Sequence, residues 1–218
     1  MARFLRSFLR FFFRHFYHEF AWTYDFVAAV VSLGRWNDWT KTALPYLEGS
    51  RVLEIGHGPG RLHRILGQES EHFVVGLDES EQMGRITKRR LLKAGFRDQH
   101  LTRGLAQALP FADATFDTVV STFPAEYIFA ADTMSDVRRV LRDGGRFVVI
   151  PAAWIIGRKL QDRIAAWLFK VTQQAPDSPL DIVSARIQRP FEEAGFRVEI
   201  KSIEVRSSLV LLVLARKK

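Results

Sequence analysis

Three glycines at alternate positions mark the stretch Val52-Leu53-Glu54-Ile55-Gly56-His57-Gly58-Pro59-Gly60-Arg61, where an apolar run gives way to a helical pattern. Glycine reaches positive φ and has no Cβ, so a backbone built this way can turn sharply and approach a ligand closely. At the carboxyl edge of an open α/β sheet, such a loop occupies the general ligand-binding position. The spacing also discriminates among ligands. A dinucleotide fingerprint needs GxGxxG, but Arg61 stands three positions after Gly58, and the GxxxxGK[ST] of a Walker loop is absent. A nucleoside ligand without a pyrophosphate remains. About one βα unit later, Phe73-Val74-Val75-Gly76-Leu77-Asp78 ends in a carboxylate suited to accept hydrogen bonds from both ribose hydroxyls. Capping the helix that begins near Glu79 is its alternative role.

The elements that must position these residues read as alternating strands and helices. Strands are expected at Arg51 to Ile55, His72 to Asp78, His100 to Gly104, Phe116 to Ser121 and Gly145 to Pro151. Helical patterns lie between them at Arg61 to Gln68, Glu81 to Ala94 and Asp132 to Leu141. Short Val- and Ile-rich runs separated by helices argue for a parallel sheet covered on both faces. Beyond Pro151 come an amphipathic stretch from Ile155 to Gln174, a break at Ala175 to Pro179 and a helix from Leu180 to Ala194. Two strand-like runs, Arg197 to Val205 and Ser208 to Ala215, are close enough to pair antiparallel through Arg206-Ser207. The expected fold is a doubly wound α/β domain over 49–218, with a mostly parallel seven-stranded sheet, a C-terminal antiparallel hairpin and a helical insertion at about 152–195.

A chain of 218 residues, 47% of them hydrophobic, is long enough for one domain with a full core. With no cysteine there is no disulfide, thiolate metal site or cysteine nucleophile. The six histidines show neither HxH nor HExxH spacing, so no metal is expected.

Ahead of the domain, residues 1–48 read as a helical leader or cap, with Trp22 to Leu47 helical and Gly49-Ser50 ending it. Residues 1–18 hold Arg3, Arg6, Arg10 and Arg14 and no carboxylate. On a helix these arginines fall within an arc of roughly 80°, opposite Phe4, Leu5, Phe8, Phe12 and Phe16. Three roles are open to this basic amphipathic segment: a cap packed on the domain, an anchor at an anionic membrane surface, or an organellar targeting segment. The net charge of +8 attracts polyanions in general, lipid headgroups and nucleic acid alike.

Residues 51–151 resemble the Rossmann-like (class I) S-adenosylmethionine-dependent methyltransferases, particularly the branch acting on small molecules, quinones and lipids. Besides the glycine loop and Asp78, Gly104-Leu105-Ala106-Gln107-Ala108-Leu109-Pro110-Phe111 resembles the family segment lining the adenine. Phe116-Asp117-Thr118-Val119-Val120-Ser121 resembles its fourth strand, and Val140-Leu141-Arg142-Asp143-Gly144-Gly145-Arg146-Phe147 the turn into its fifth. Tyr24-Asp25, Ser32-Leu33-Gly34 and Trp39 are weakly similar to the leader of quinone C-methyltransferases.

The resemblance implies S-adenosylmethionine as cofactor, held by Glu54, Gly56, Gly58, Pro59, Gly60, Asp78, Leu105, Ala106 and Thr122. Leu105 departs from the family pattern, which has an acid there for the exocyclic amine, and such a lost hydrogen bond costs about 1.5 to 3 kcal/mol. His57 occupies a variable position of the loop. The reaction implied is methyl transfer to a hydrophobic small molecule, a quinone precursor or lipid, by a cytoplasmic enzyme peripheral to the inner membrane face. No universal base is required; His18, Tyr24, Glu126 and Tyr127 are the candidates if the acceptor is an acidic phenol or enol-like carbon. A nucleic-acid methyltransferase and a non-catalytic scaffold of the same fold are the alternatives. Against the first, Ser121-Thr122-Phe123-Pro124 stands where an Asn/Asp-Pro-Pro-type site would lie, and no RNA-binding module is appended. The sequence carries no signal for an oligomeric state.

Overall fold

A computed structural model of the chain describes residues 32, 34–69, 72–156 and 180–218. The order is α1 (Trp36–Lys41), a 3-10 turn (Leu44–Tyr46), β1 (Arg51–Ile55), α2 (Arg61–Glu69), β2 (Phe73–Asp78), α3 (Glu81–Lys93) and β3 (His100–Arg103). It continues with β4 (Phe116–Thr122), a 3-10 turn (Glu126–Phe129), α4 (Ala131–Val140), β5 (Leu141–Ile155), α5 (Leu180–Glu193), β6 (Phe196–Val205) and β7 (Ser208–Lys217).

The seven strands form one sheet in the order β3-β2-β1-β4-β5-β7-β6. Strands β1 to β5 pair in parallel. β7 runs antiparallel to β5 and β6, so the expected hairpin about Arg206-Ser207 closes the sheet. The strand order reverses between β1 and β4, which makes their carboxyl ends the topological switch point.

Successive side chains on a strand point to opposite faces, and the core divides accordingly. Val52 joins Leu62, Leu66, Val74, Val120 and Val148 on one face, with Trp36 and Trp39 beside them. Leu53 and Ile55 join Leu77, Val119, Met134, Val137 and Phe147 on the other. There α5 closes the core with Phe191, whose ring lies 5.6 Å from that of Phe147 and 6.5 Å from that of Phe196. Each such ring contributes about 1.5–3 kcal/mol by leaving water.

Two boundaries differ from expectation. Within the described residues, the stretch Trp22 to Leu47 is not one helix: a helical Ser32 is followed by a turn at Gly34, then the six-residue α1 and a 3-10 turn. Gly34, at φ +75°, precedes α1, and Pro45, lacking an N–H, sits in the turn. β5 begins at Leu141, not Gly145, because Leu141 already pairs with Phe116 before an irregularity at Thr118 shifts the register. α5 matches the helix expected over Leu180 to Ala194 and leads into β6, while all but the first two residues of the stretch Ile155 to Gln174 lie outside the described residues.

Candidate functional site

All three loop glycines have positive φ: Gly56 at 69°, Gly58 at 51° and Gly60 at 75°. The loop is then tied on every side. The Gly56 N–H donates to Leu77 O at 2.7 Å, joining β1 to β2. The Gly58 carbonyl accepts from Thr87 Oγ1 and lies against His57 Nδ1, both at 2.8 Å. A carbonyl can only accept, so this contact places the imidazole proton on Nδ1. Arg90 Nη1 donates to Pro59 O at 2.6 Å, and Gly60 has no room for a Cβ because the Thr87 methyl occupies the space. Thr87 and Arg90 were not read from the sequence. Their signal was there: Met83, Thr87 and Arg90, spaced four and three apart, share the face of α3 that meets the loop.

Asp78 binds the loop to the next element. Its Oδ2 accepts from the Gly58 N–H and its Oδ1 from the Ser80 N–H, each at 2.8 Å. Ser80 is the N-cap of α3, its hydroxyl accepting from the Met83 N–H at 3.3 Å. Asp78 is therefore oriented by backbone on both oxygens, with a further lone pair on each still available.

Above these groups lies a cavity of about 310 Å³ at the switch point. Gly56, Gly58, Asp78, Leu105, Ala106, Thr122 and Tyr127 all line it, joined by Ile55, Glu79, Met83, Gln107 and Phe123. Leu105, 47% exposed, stands at its rim. Pro59 and Gly60, outside the cavity lining, are held from behind by Arg90 and Thr87 of α3. Glu54, expected among the cofactor contacts, turns the other way: it is 2% exposed, with Oε2 3.1 Å from His63 Nδ1 of α2. Strand alternation is the reason, since its neighbour Ile55 takes the cavity side. Glu126 is exposed and outside the cavity lining. His18 and Tyr24 lie outside the described residues.

The Tyr127 hydroxyl sits over Gly56, filling the space of its missing Cβ. Burial, then the nearby charge of Asp78, push its pKa up to about 12, a hydrogen bond with Ser121 pulling the other way. It is a neutral phenol at physiological pH. Behind the segment that carries Leu105 and Ala106, Arg139 of α4 pins residues 105–113, donating to Leu109 O at 2.9 Å and Phe111 O at 2.7 Å while paired with Asp136 at 2.8 Å.

A larger groove of about 820 Å³ runs between α4 and α5, lined by Ser135, Arg138 and Glu193 among others. It contains none of the loop residues and lies away from the switch point, which leaves the smaller cavity as the candidate site.

Residues 52–145 match the family model described as a methyltransferase domain. A demethylmenaquinone methyltransferase of Symbiobacterium thermophilum is 30% identical over 205 residues, 82% of each chain. The chain belongs to the class I S-adenosylmethionine-dependent methyltransferases. A second relative, the demethylmenaquinone methyltransferase of Thermobifida fusca, is 30% identical over 72% of this chain and 69% of its own. In fold, this methyltransferase matches a crystal structure of an S-adenosylmethionine-dependent methyltransferase from Aquifex aeolicus, with TM-score 0.61 at 19% identity over 87% of this chain and 97% of that one.

S-adenosylmethionine is the cofactor of this methyltransferase. The residues present fit it: bare backbone at Gly56 and Gly58 for close approach, a carboxylate with free lone pairs at Asp78, and apolar walls from Leu105, Ala106 and Met83.

Proposed function

We propose that this methyltransferase methylates a quinone precursor, and that the cavity at the β1–β4 switch point holds its cofactor. The observation carrying the site is the bridge from Gly58 N–H through Asp78 to Ser80 N–H, which fixes a carboxylate directly beside a bare glycine loop on the cavity lining. Support for the acceptor comes from the two demethylmenaquinone methyltransferases that the chain resembles over most of its length.

In this reading Asp78 accepts from the ribose hydroxyls, Gly56 and Gly58 lie under the amino-acid portion, and Leu105, Ala106 and Met83 enclose the adenine. Thr122 meets the methionine end. The cofactor supplies a methyl group already activated by the sulfonium, so the residues have to align the acceptor and exclude water, which is worth roughly 7–11 kcal/mol. Gly56, Gly58 and Asp78 would hold the group, and the acceptor would stand across the cavity beside Thr122 and Tyr127. Tyr127 is a hydrogen-bond donor there and not a base, because it keeps its own proton.

Residues 1–18, which lie outside the described residues and whose four arginines would fall opposite the aromatic residues on a helix, are proposed to rest on the anionic inner face of a membrane, each arginine adding about 1 kcal/mol. No described helix is long and apolar enough to cross one.

The decisive experiment incubates the protein with S-adenosylmethionine and a short-chain demethylmenaquinone, with mass analysis of the quinone fraction. Gain of one methyl group on the naphthoquinone ring is expected. An unchanged quinone, with methyl transfer instead to extracted lipid or RNA, would overturn the acceptor.

A further inference from the structure

Phe123 does not continue β4, and it does not behave as a loop residue chosen for its backbone. It follows Thr122, pairs its N–H with Ile150 O at 2.7 Å and then turns the chain at φ +51°. A left-handed backbone is sterically disfavoured for any residue with a Cβ, and the next residue, Pro124, further restricts the one before it to extended conformations. Such a conformation persists only where its surroundings over-determine it. The surroundings are two tryptophans of α1: the Phe123 ring lies 4.4 Å from that of Trp36 and 6.0 Å from that of Trp39. The same residue lines the cavity.

α1 has six residues, too few to hold a helix by its own hydrogen bonds, so it depends on packing. Trp39 is wholly buried, Trp36 nearly so, and their cluster includes Phe123. The wall of the cavity and the seat of α1 are thus one residue. We infer that Phe123 is a positioning residue which couples the cofactor cavity to α1, so that cofactor binding tightens α1 and the docking of α1 raises cofactor affinity. Reciprocity is required of any such coupling. The inference rests on the cavity being the cofactor site.

The test uses the full chain with 5-fluorotryptophan incorporated, the Trp36 and Trp39 fluorine resonances being assigned by replacement, and S-adenosylhomocysteine as the probe. In the wild type, saturation with the probe is expected to move both resonances. Phe123→Leu, which keeps an apolar side chain but loses the ring, should abolish the movement and weaken the probe about tenfold, or about 1.4 kcal/mol. Phe123→Tyr should restore both. Trp36→Leu, outside the cavity lining, should weaken the probe as well. Phe123→Gly, which relieves the backbone, should not rescue binding; if it fails to fold, the Leu and Trp36 variants carry the result. A Phe123→Leu protein that binds within about twofold of wild type, or resonances unmoved by the probe, would overturn the coupling. Asp78→Asn separates the two readings: unchanged affinity there removes the cavity assignment itself, whereas weakened affinity there with unchanged affinity in Phe123→Leu removes only the coupling.

Discussion

The hydroxyl of Tyr127 occupies the space that a β-carbon on Gly56 would need. Gly56 also sits at φ +69°, so replacing it meets two obstacles, one steric and one torsional. Gly56→Ala is expected to lose about 1–2 kcal/mol from the left-handed backbone alone, read by urea denaturation, together with most cofactor affinity. Adding Tyr127→Phe removes the oxygen but not the torsion, and should recover only part of the stability. Full recovery would show that φ is not the constraint.

Asp78→Asn tests the carboxylate bridge. An amide accepts through one oxygen and would present an N–H₂ to either Gly58 N–H or Ser80 N–H, which now donate to the two carboxylate oxygens. With the charge-assisted ribose contacts also weakened by about 1.5–3 kcal/mol, calorimetry with S-adenosylhomocysteine should show a ten- to hundredfold loss, to order of magnitude.

Tyr127 should titrate late. Its folded-state pKa, about 12, lies above the ordinary phenol value of about 10. Its contribution to stability is therefore complete below about pH 10 and lost as the pH rises through about 12. Ultraviolet difference titration should show a late phenol that Tyr127→Phe removes. The rate profile through neutral pH should be the same shape in both proteins, and a lost alkaline limb in Tyr127→Phe would restore the tyrosine as a base.

Two carboxylates set acid stability. For Asp117, burial raises the pKa, but hydrogen bonds from the Arg51 N–H, Arg142 and the Ser50 N–H outweigh it, and the net shift is downward. Asp136 is lowered chiefly by Arg139, against the effect of burial, with the Leu109 N–H helping. Both folded values lie below the unfolded one, so this stabilisation is whole above about pH 4 and disappears as the pH falls through the folded values. Asp117→Asn and Asp136→Asn should each flatten the fall in thermal midpoint below that pH. An unchanged slope would mean that neither group titrates on unfolding.

The alternation of strand and helix, the terminal hairpin, the glycine loop and Asp78 were all legible in the sequence, because each depends on local pattern: a period of two or 3.6, a residue type that alone permits positive φ, a carboxylate at a strand end. Glu54 marks the limit of that reading. It stands within the motif, yet strand direction and the position of α2 turn it toward His63 and away from the cavity. The start of β5 at Leu141 was likewise decided by pairing with Phe116 across the sheet. So was the support of the loop by Thr87 and Arg90, about thirty residues away, and the contact of Phe123 with Trp36. The sequence alone determined which residues are able to hold a nucleoside and in what order they come. Only tertiary packing decided which of them face the cavity, because facing depends on what covers each side of the sheet, and that is fixed by contacts between segments distant in the chain.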